Sequence, residues 1–378
     1  MKETQQYTMG ELFTLEYGKP VPDKESIDGS VPVYGTNGQI GTSHLKPLCN
    51  HPSVILGRKG AYRGVHYSNR PFSVIDTAFY IELITDKVDI KWLYYKLLTY
   101  DINSMDSGSA IPSTDRYQIY SLPIEVPSIS TQRRIVDVLD SITTKIELNR
   151  QINDNLEQQA QAIYKSWFID FEPFKDGEFV ECEIGLIPEG WKVGTLSDLA
   201  EITMGQSPSG KSYNECGEGI LFYQGRAEFG DRYPSIRLYT TEPSRIADQN
   251  SVLLSVRAPV GDTNIAYNKC CIGRGLASIK AKHGFNSFIF YMIKSMKDQF
   301  DMYNGEGTVF GSINRDSLNS LNVIVPTNDV INKFEKIVAP LDLKYKSLFT
   351  ENLLLTQQRD TLLPKLMSGE LKINELDC

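Results

Sequence analysis

Two groups of polar side chains in Gly-containing stretches have the donor and acceptor types that match the edges of base pairs. The first is Asn37, Gln39, Ser43, His44, Arg58, Lys59 and Arg63; the second is Gln224, Arg226, Arg232, Arg237 and Arg257. Arg and Lys suit guanine, Asn and Gln suit adenine, and Ser or Thr suits either. The first group lies within residues 29–75, which contain no Asp or Glu but carry Lys46, Arg58, Lys59, Arg63, Arg70 and three of the four histidines. Residues 170–189 are the opposite, with Asp170, Glu172, Asp176, Glu178, Glu181, Glu183 and Glu189 against one Lys. The net charge of −8 therefore conceals a segregation of charge, and a local basic surface is compatible with it. A loop Arg more often solvates or pairs with a carboxylate than reads a base, so the weight rests on the groups and not on single members.

Other chemistry is harder to place. Residues 205–212, GQSPSGKS, fit the P-loop pattern GxxxxGK[ST]. A phosphate-binding loop needs a buried strand before it and a helix N-terminus after it. LSDLAEITM before it is charged, YNECGEGI after it is a poor helix start, and Pro208 removes an N–H. A nucleotide site is therefore the weaker reading, and a loop whose Lys211 and Ser212 touch a phosphate the stronger. There is no Asn/Asp-Pro-Pro-Tyr/Phe motif to hold a flipped adenine, and no GxGxxG opens the chain. His44, His51 and His66 are too irregularly spaced to suggest a metal site. None of the six cysteines forms a CxxC pair, which argues against a zinc ribbon or a disulfide framework. The expectation is no catalytic residue, no metal and no cofactor on this chain.

The elements that must position these groups are strands and two long helices. VPVYG (31–35), SVILG (53–57) and FSVIDTAFYIEL (72–83) read as strands, IKWLYYKLLTYDI (90–102) as a helix, and SLPIEVP (121–127) as a closing strand. Residues 130–167 then place Ile135, Leu139, Ile142, Ile146, Leu156, Ala160, Ile163 and Trp167 at steps that keep a heptad period. No Gly or Pro interrupts them. Ser130 or Thr131 is positioned to cap the start. At about 1.5 Å per residue the rod measures about 57 Å. Asn149 and Asn153 occupy the seam, where buried Asn fixes register at a cost in stability. A second seam runs through Phe334, Val338, Leu341, Tyr345, Leu348, Asn352, Leu355, Arg359, Leu362 and Leu366, with a kink or restart expected at Pro340.

The two halves repeat. Leu12-x5-Gly18 matches Leu199-x5-Gly205, and SVIL at 53–56 matches SVLL at 251–254. Arg58, Gly108, Arg116 and Pro127 each fall 199 residues before Arg257, Gly307, Arg315 and Pro326. About twelve extra residues belong to the second half, expected near Lys211–Glu218. Matched anchors in matched order indicate a duplicated unit of globular domain plus long helix. The predicted class is α+β: two mixed β-rich domains, at 1–127 and 191–326, separated by two long antiparallel coiled-coil helices, at 128–170 and 327–378. A solvated acidic linker at 171–190 completes a pseudo-two-fold chain. At 378 residues it is too long for one core. It has no run of eighteen apolar residues and no signal-peptide core, so a cytoplasmic protein is expected.

YGTNGQIG (34–41), RKGAYRG (58–64), GSAIPSTDR (108–116), QRRIVDVLD (132–140), KSWFIDFEPF (165–174), IPEGW (187–191), SVRAPVGD (255–262), RGLA (274–277) and LLPKLMSGEL (362–371) carry a resemblance along the whole chain. In these stretches it resembles the specificity (S) subunit of type I restriction–modification systems, the HsdS family. The resemblance implies two target-recognition domains, each reading one half of a split DNA sequence, with the helices as a ruler. It also implies two methyltransferase subunits and two motor-nuclease subunits as partners; S-adenosylmethionine, ATP and Mg belong to those partners. The competing class is a coiled-coil scaffold with two protein-binding domains. A salt-dependent, sequence-specific retention of DNA separates the two, because neutralising phosphates releases counterions.

Overall fold

The computed structural model describes residues 4–105, 112–304 and 311–373. The repeat anchors Gly108 and Gly307, the first residues of GSAIPSTDR, and Cys378 lie outside the described residues. The chain divides into two compact units, Met1–Asn149 with Thr350–Cys378, and Arg150–Phe349.

In the first unit a four-stranded antiparallel sheet runs Phe13–Tyr17, Ala78–Leu83, Ser53–Gly57, Val65–Ser68. Ser53–Gly57 is buried at every residue, which is why it reads as an unbroken apolar run rather than an alternating one. A smaller sheet, Gly38–Ser43, Val31–Gly35 and Ser73–Val74, packs beside it, its last two strands parallel. Gln5–Thr8 pairs with Pro123–Val126. The stretch expected as one strand at 72–83 is two, and the helix expected at 90–102 ends at Leu97 before a short turn at Ile102–Ser104. Asp89 caps that helix by accepting from Lys91 N and Trp92 N. Trp92, Phe13, Leu56 and Phe79 form the core with Ile135, Leu139, Leu366 and Met367 of the long helices. Trp92 is 1% exposed, so Trp92→Ala is expected to lower unfolding free energy by about 3–5 kcal/mol. Denaturant unfolding followed by far-UV circular dichroism measures it.

The second unit repeats the plan. Ala200–Met204, Leu276–Ala281, Val252–Ser255 and Thr263–Ile265 follow the same sheet order, and Lys192–Thr195 pairs with Asn322–Val325. Ile220–Tyr223 runs parallel to Cys270–Ile272, as Val31–Gly35 does to Ser73–Val74. The repeated Leu-x5-Gly spacing has a steric reason. A Cβ on Gly18 would sit 2.0 Å from Ile75 O, and one on Gly205 2.1 Å from Gly273 O. The extra residues are not near Lys211–Glu218. The hairpin after Val31–Gly35 turns through residues 36–37, whereas its counterpart after Ile220–Tyr223 runs through 224–237 before Leu238–Thr240. The hydrogen-bond register also corrects one anchor: Lys59 bridges Ser113 as Arg257 bridges Ser312, so Lys59, not Arg58, corresponds to Arg257.

The first long helix spans Ile129–Phe168 and the second Asn328–Ser368. The first is capped by Ser128, two residues before the expected cap: Ser128 Oγ accepts from Thr131 N at 3.3 Å. The second continues through Pro340 and Pro364 without a restart. Phe334 and Val338 before Pro340 and Tyr345 and Leu348 after it are all buried, and that packing outweighs a local proline penalty of about 3 kcal/mol. Gly369, at φ +74°, ends the helix, with Leu371 N bonded to Lys365 O. Within the first unit the two helices run antiparallel: Ile135 and Leu139 share a core with Leu366 and Met367, while Ile146 O accepts from Asn352 Nδ2. The seam Asn149 is fully buried and donates to Glu351 Oε2 (2.8 Å) and Asn352 Oδ1 (2.9 Å). In the second unit Phe168 meets Phe288 at 4.9 Å, Phe334 at 5.1 Å and Trp191 at 5.8 Å between ring centres. Residues 171–190, expected as a solvated linker, hold an antiparallel hairpin, Phe179–Cys182 with Gly185–Pro188, and bury Ile187.

Candidate nucleic-acid interface

In the first unit three loops converge and are locked by backbone-directed bonds. Thr36 Oγ1 donates toward Lys59 O and Thr77 O, each at 2.8 Å, and Gly64 N donates to Thr36 O. Gly60 N donates to Pro112 O, and Thr114 joins the set through N to Arg58 O and Oγ1 to Gly57 O. The Asn37 amide, nitrogen inward, reaches Tyr62 O at 2.7 Å. A hairpin tip, the 58–64 loop and the 112–116 segment thus form one small platform. On it the guanidinium of Arg58 lies 4.8 Å and that of Arg116 5.2 Å from the Tyr17 ring centre. Tyr17, Tyr62 and Tyr117 are large exposed aromatics of the same region. Arg–aromatic surfaces of this kind suit phosphate contact and stacking.

The base-edge candidates separate on this frame. Asn37, Gln39 and His44 are exposed; Arg58 and Lys59 are half-buried. Ser43 is fully buried, its hydroxyl 2.5 Å from Asp23 Oδ1, and it braces the turn. Arg63 is 2% exposed and donates to Asn103 O at 2.6 Å. Neither presents a face to a groove edge, so the interface proposed below omits both. The acid-free stretch is answered by carboxylates just outside it. Asp23 and Asp28 hold His44, Asp76 Oδ2 lies 4.0 Å from Lys59 Nζ, and Glu82 Oε2 lies 3.0 Å from His51 Nε2. The Asp23 carboxyl is held below its usual range by the Ser43 hydroxyl and the His44 N–H. The irregular histidine spacing did not anticipate that His51 meets Glu82 from a neighbouring strand beside the Cys49 thiol, all within 4.8 Å. Burial pushes that thiol's pKa up.

In the second unit the long connection 224–237 carries four of the five candidates. Gln224 is exposed; Arg226 is exposed and paired with Asp262; Arg237 is paired with the buried Glu228 at 2.7 Å. Arg257 is exposed beside Ser312. Arg232 is different. It is 2% exposed, 2.9 Å from Glu157 Oε2 and 2.5 Å from Asp342 Oδ1. Its guanidinium lies 4.6 Å from the ring centres of both Phe290 and Tyr345. Burial opposes the charge, but Asp342 and Glu157 outweigh it and hold the pKa above the usual arginine range. Its burial takes it out of the exposed set. Arg116 and the tyrosines were missed as site residues; Arg116 was visible as a repeat anchor, whereas the exposure of single tyrosines has no sequence signal. At 205–212 a strand, Tyr213–Asn214, follows the loop where a phosphate-binding loop needs a helix, and Ser212 is buried against Thr240.

The sequence profile of the type I restriction modification DNA specificity domain matches residues 1–158 and 188–344. The chain belongs to the type I restriction–modification DNA specificity family. Its class is that of the DNA specificity domains, and the curated relatives it matches are named as specificity subunits. It is 35% identical over 266 residues to a Methanocaldococcus jannaschii protein assigned as the type I restriction enzyme MjaX specificity subunit; the match spans 69% of this chain and 62% of that one. It is 26% identical over 349 residues to the HindI specificity subunit of Haemophilus influenzae, with 74% of each chain covered. The crystal structure of a type I restriction–modification S subunit from M. genitalium shares the fold: TM-score 0.65, 16% identity, 96% of each chain covered. The α+β class with two repeated domains and long helices is thereby established. No helix among the described residues is long and apolar enough to cross a membrane.

Proposed function

We propose that this chain reads a split duplex sequence, one half through each unit, and thereby positions two methyltransferase subunits over an adenine in each half. Two motor-nuclease subunits complete the cytoplasmic complex, and those partners carry S-adenosylmethionine, ATP and Mg. Residues 1–127 and 191–326 are the recognition domains, and the two long helices set the gap. The base readers in the first are Asn37, Gln39, His44, Arg58 and Arg116, and in the second Gln224, Arg226 and Arg237, while Lys59 and Arg257 hold the phosphate backbone. The observation that carries this reading is the repeated frame: a basic residue at one register position, Lys59 and Arg257, each paired through its backbone with a serine, Ser113 and Ser312. Repetition of one basic position in two domains matches a ligand with two similar backbones, which is what duplex DNA offers.

Lys59→Ala and Arg257→Ala are each expected to weaken binding nearly uniformly across sequences and to lower the salt dependence of log K by about one. Fluorescence anisotropy of the assembled methyltransferase on a duplex target, at several salt concentrations, measures this. Salt-independent retention, or retention of proteins in place of DNA, favours a scaffold.

A further inference from the structure

The 224–237 connection stands where the first unit has the short 36–37 turn, and it is held at three places. Near its start the buried Glu228 carboxylate accepts from Gly225 N and pairs with Arg237, while Glu228 O accepts from Ser235 N. In the middle Gly230 exchanges hydrogen bonds with the buried Asn264 side chain. Beyond that Arg232 leaves the recognition surface and enters the body of the unit. There it joins Glu157 of the first long helix and Asp342 of the second, with Tyr291 Oη also donating to Asp342 at 2.8 Å and Lys294 paired with Glu157. Ile265 N donates to Arg232 O, fixing its backbone. In the first unit the corresponding hairpin turns through residues 36–37 alone, and among the described residues Lys87, Asp89, Lys91 and Tyr95 bond to the first long helix.

We propose that Arg232 is a positioning residue that roots the second recognition loop in the two long helices, so that reading of the second half-site depends on Glu157 and Asp342. This deepens the DNA-reading proposal and rests on it. A guanidinium bridging two carboxylates in a low-dielectric site holds one geometry, because its fork fixes both partners. Gln224, Arg226 and Arg237 flank it on the same connection, and a groove contact is lost by a displacement of about an ångström. A consequence concerns chimeras. A domain grafted at 191–326 leaves behind Glu157 and Asp342, which lie outside that range on the helices. A foreign second domain without a matching Arg leaves the half-buried carboxylates of Glu157 and Asp342 without their guanidinium, whereas a foreign first domain must instead meet Gln132 and Asp140.

The test is base-modification sequencing of cells expressing the partner methyltransferase with the full chain or with Arg232→Lys, Glu157→Gln or Asp342→Asn. The expected result is relaxed discrimination, about tenfold at one or more positions of the second half, with the first half and the gap unchanged. Arg232→Lys, which keeps charge but not the fork, is expected to show the same relaxation at normal protein level. A merely structural role would lower methylation at every site without changing the motif, and that result overturns the proposal, as does an unaltered pattern in all three variants. If the unmodified chain directs no split motif, the DNA-reading proposal itself fails, and the two failures are told apart by that control.

Discussion

Exchange of residues 1–127 for the corresponding domain of another family member is expected to change one half of the methylated target and leave the other half and the gap as they were. The first platform is tied together internally: the 36–37 turn, the 58–64 loop and the 112–114 segment bond to one another, and these bonds lie within the exchanged range. What the incoming domain must reproduce is its seat on the helices. Gln132, fully buried, accepts from Asp89 N and donates to Lys87 O and Pro127 O, and Tyr95 donates to Asp140. A donor domain that keeps a polar backbone at these places and an apolar face toward Ile135 and Leu139 satisfies it. Sequencing of modified bases reads the result directly; simultaneous change of both halves would contradict the two-reader account.

The second large effect concerns the gap. Seven residues inserted after Asn149, matched by seven before Glu351, are expected to lengthen the gap between half-sites by about three base pairs. Seven helical residues rise about 10 Å, and duplex DNA rises about 3.4 Å per base pair. Both insertions are needed because Asn149 is bonded to Glu351 and Asn352. An insertion in one helix alone separates these partners and leaves a buried amide without them, at a cost of about 1–3 kcal/mol per group. A gap unchanged by the paired insertion, or a changed half-site, would remove the helices from the role of ruler.

The long helices and the repeat were legible because both are periodic signals: heptads over about forty residues, and anchors recurring in order. The fine points depended on contacts remote in sequence. The cap moved to Ser128 because Ser130 and Thr131 are already inside the helix. Pro340 did not stop the second helix because buried side chains on both sides hold it. The twelve-residue excess was placed too early: sequence matching aligns strands, and a longer hairpin looks the same wherever it lies between them. The base-edge candidates show the same limit. Composition found the loops, yet Ser43, Arg63 and Arg232 turned inward toward Asp23, Asn103 and the helix carboxylates. An acid-free window in sequence is not one in space, since its partners lie just beyond its ends.

The most direct measurement is base-modification sequencing of cells carrying this chain with its methyltransferase partner, beside cells lacking only this chain. The account predicts a split methyl-adenine motif that is present in the first and gone in the second. An unchanged methylation pattern, with the partner active through another specificity subunit, would contradict it.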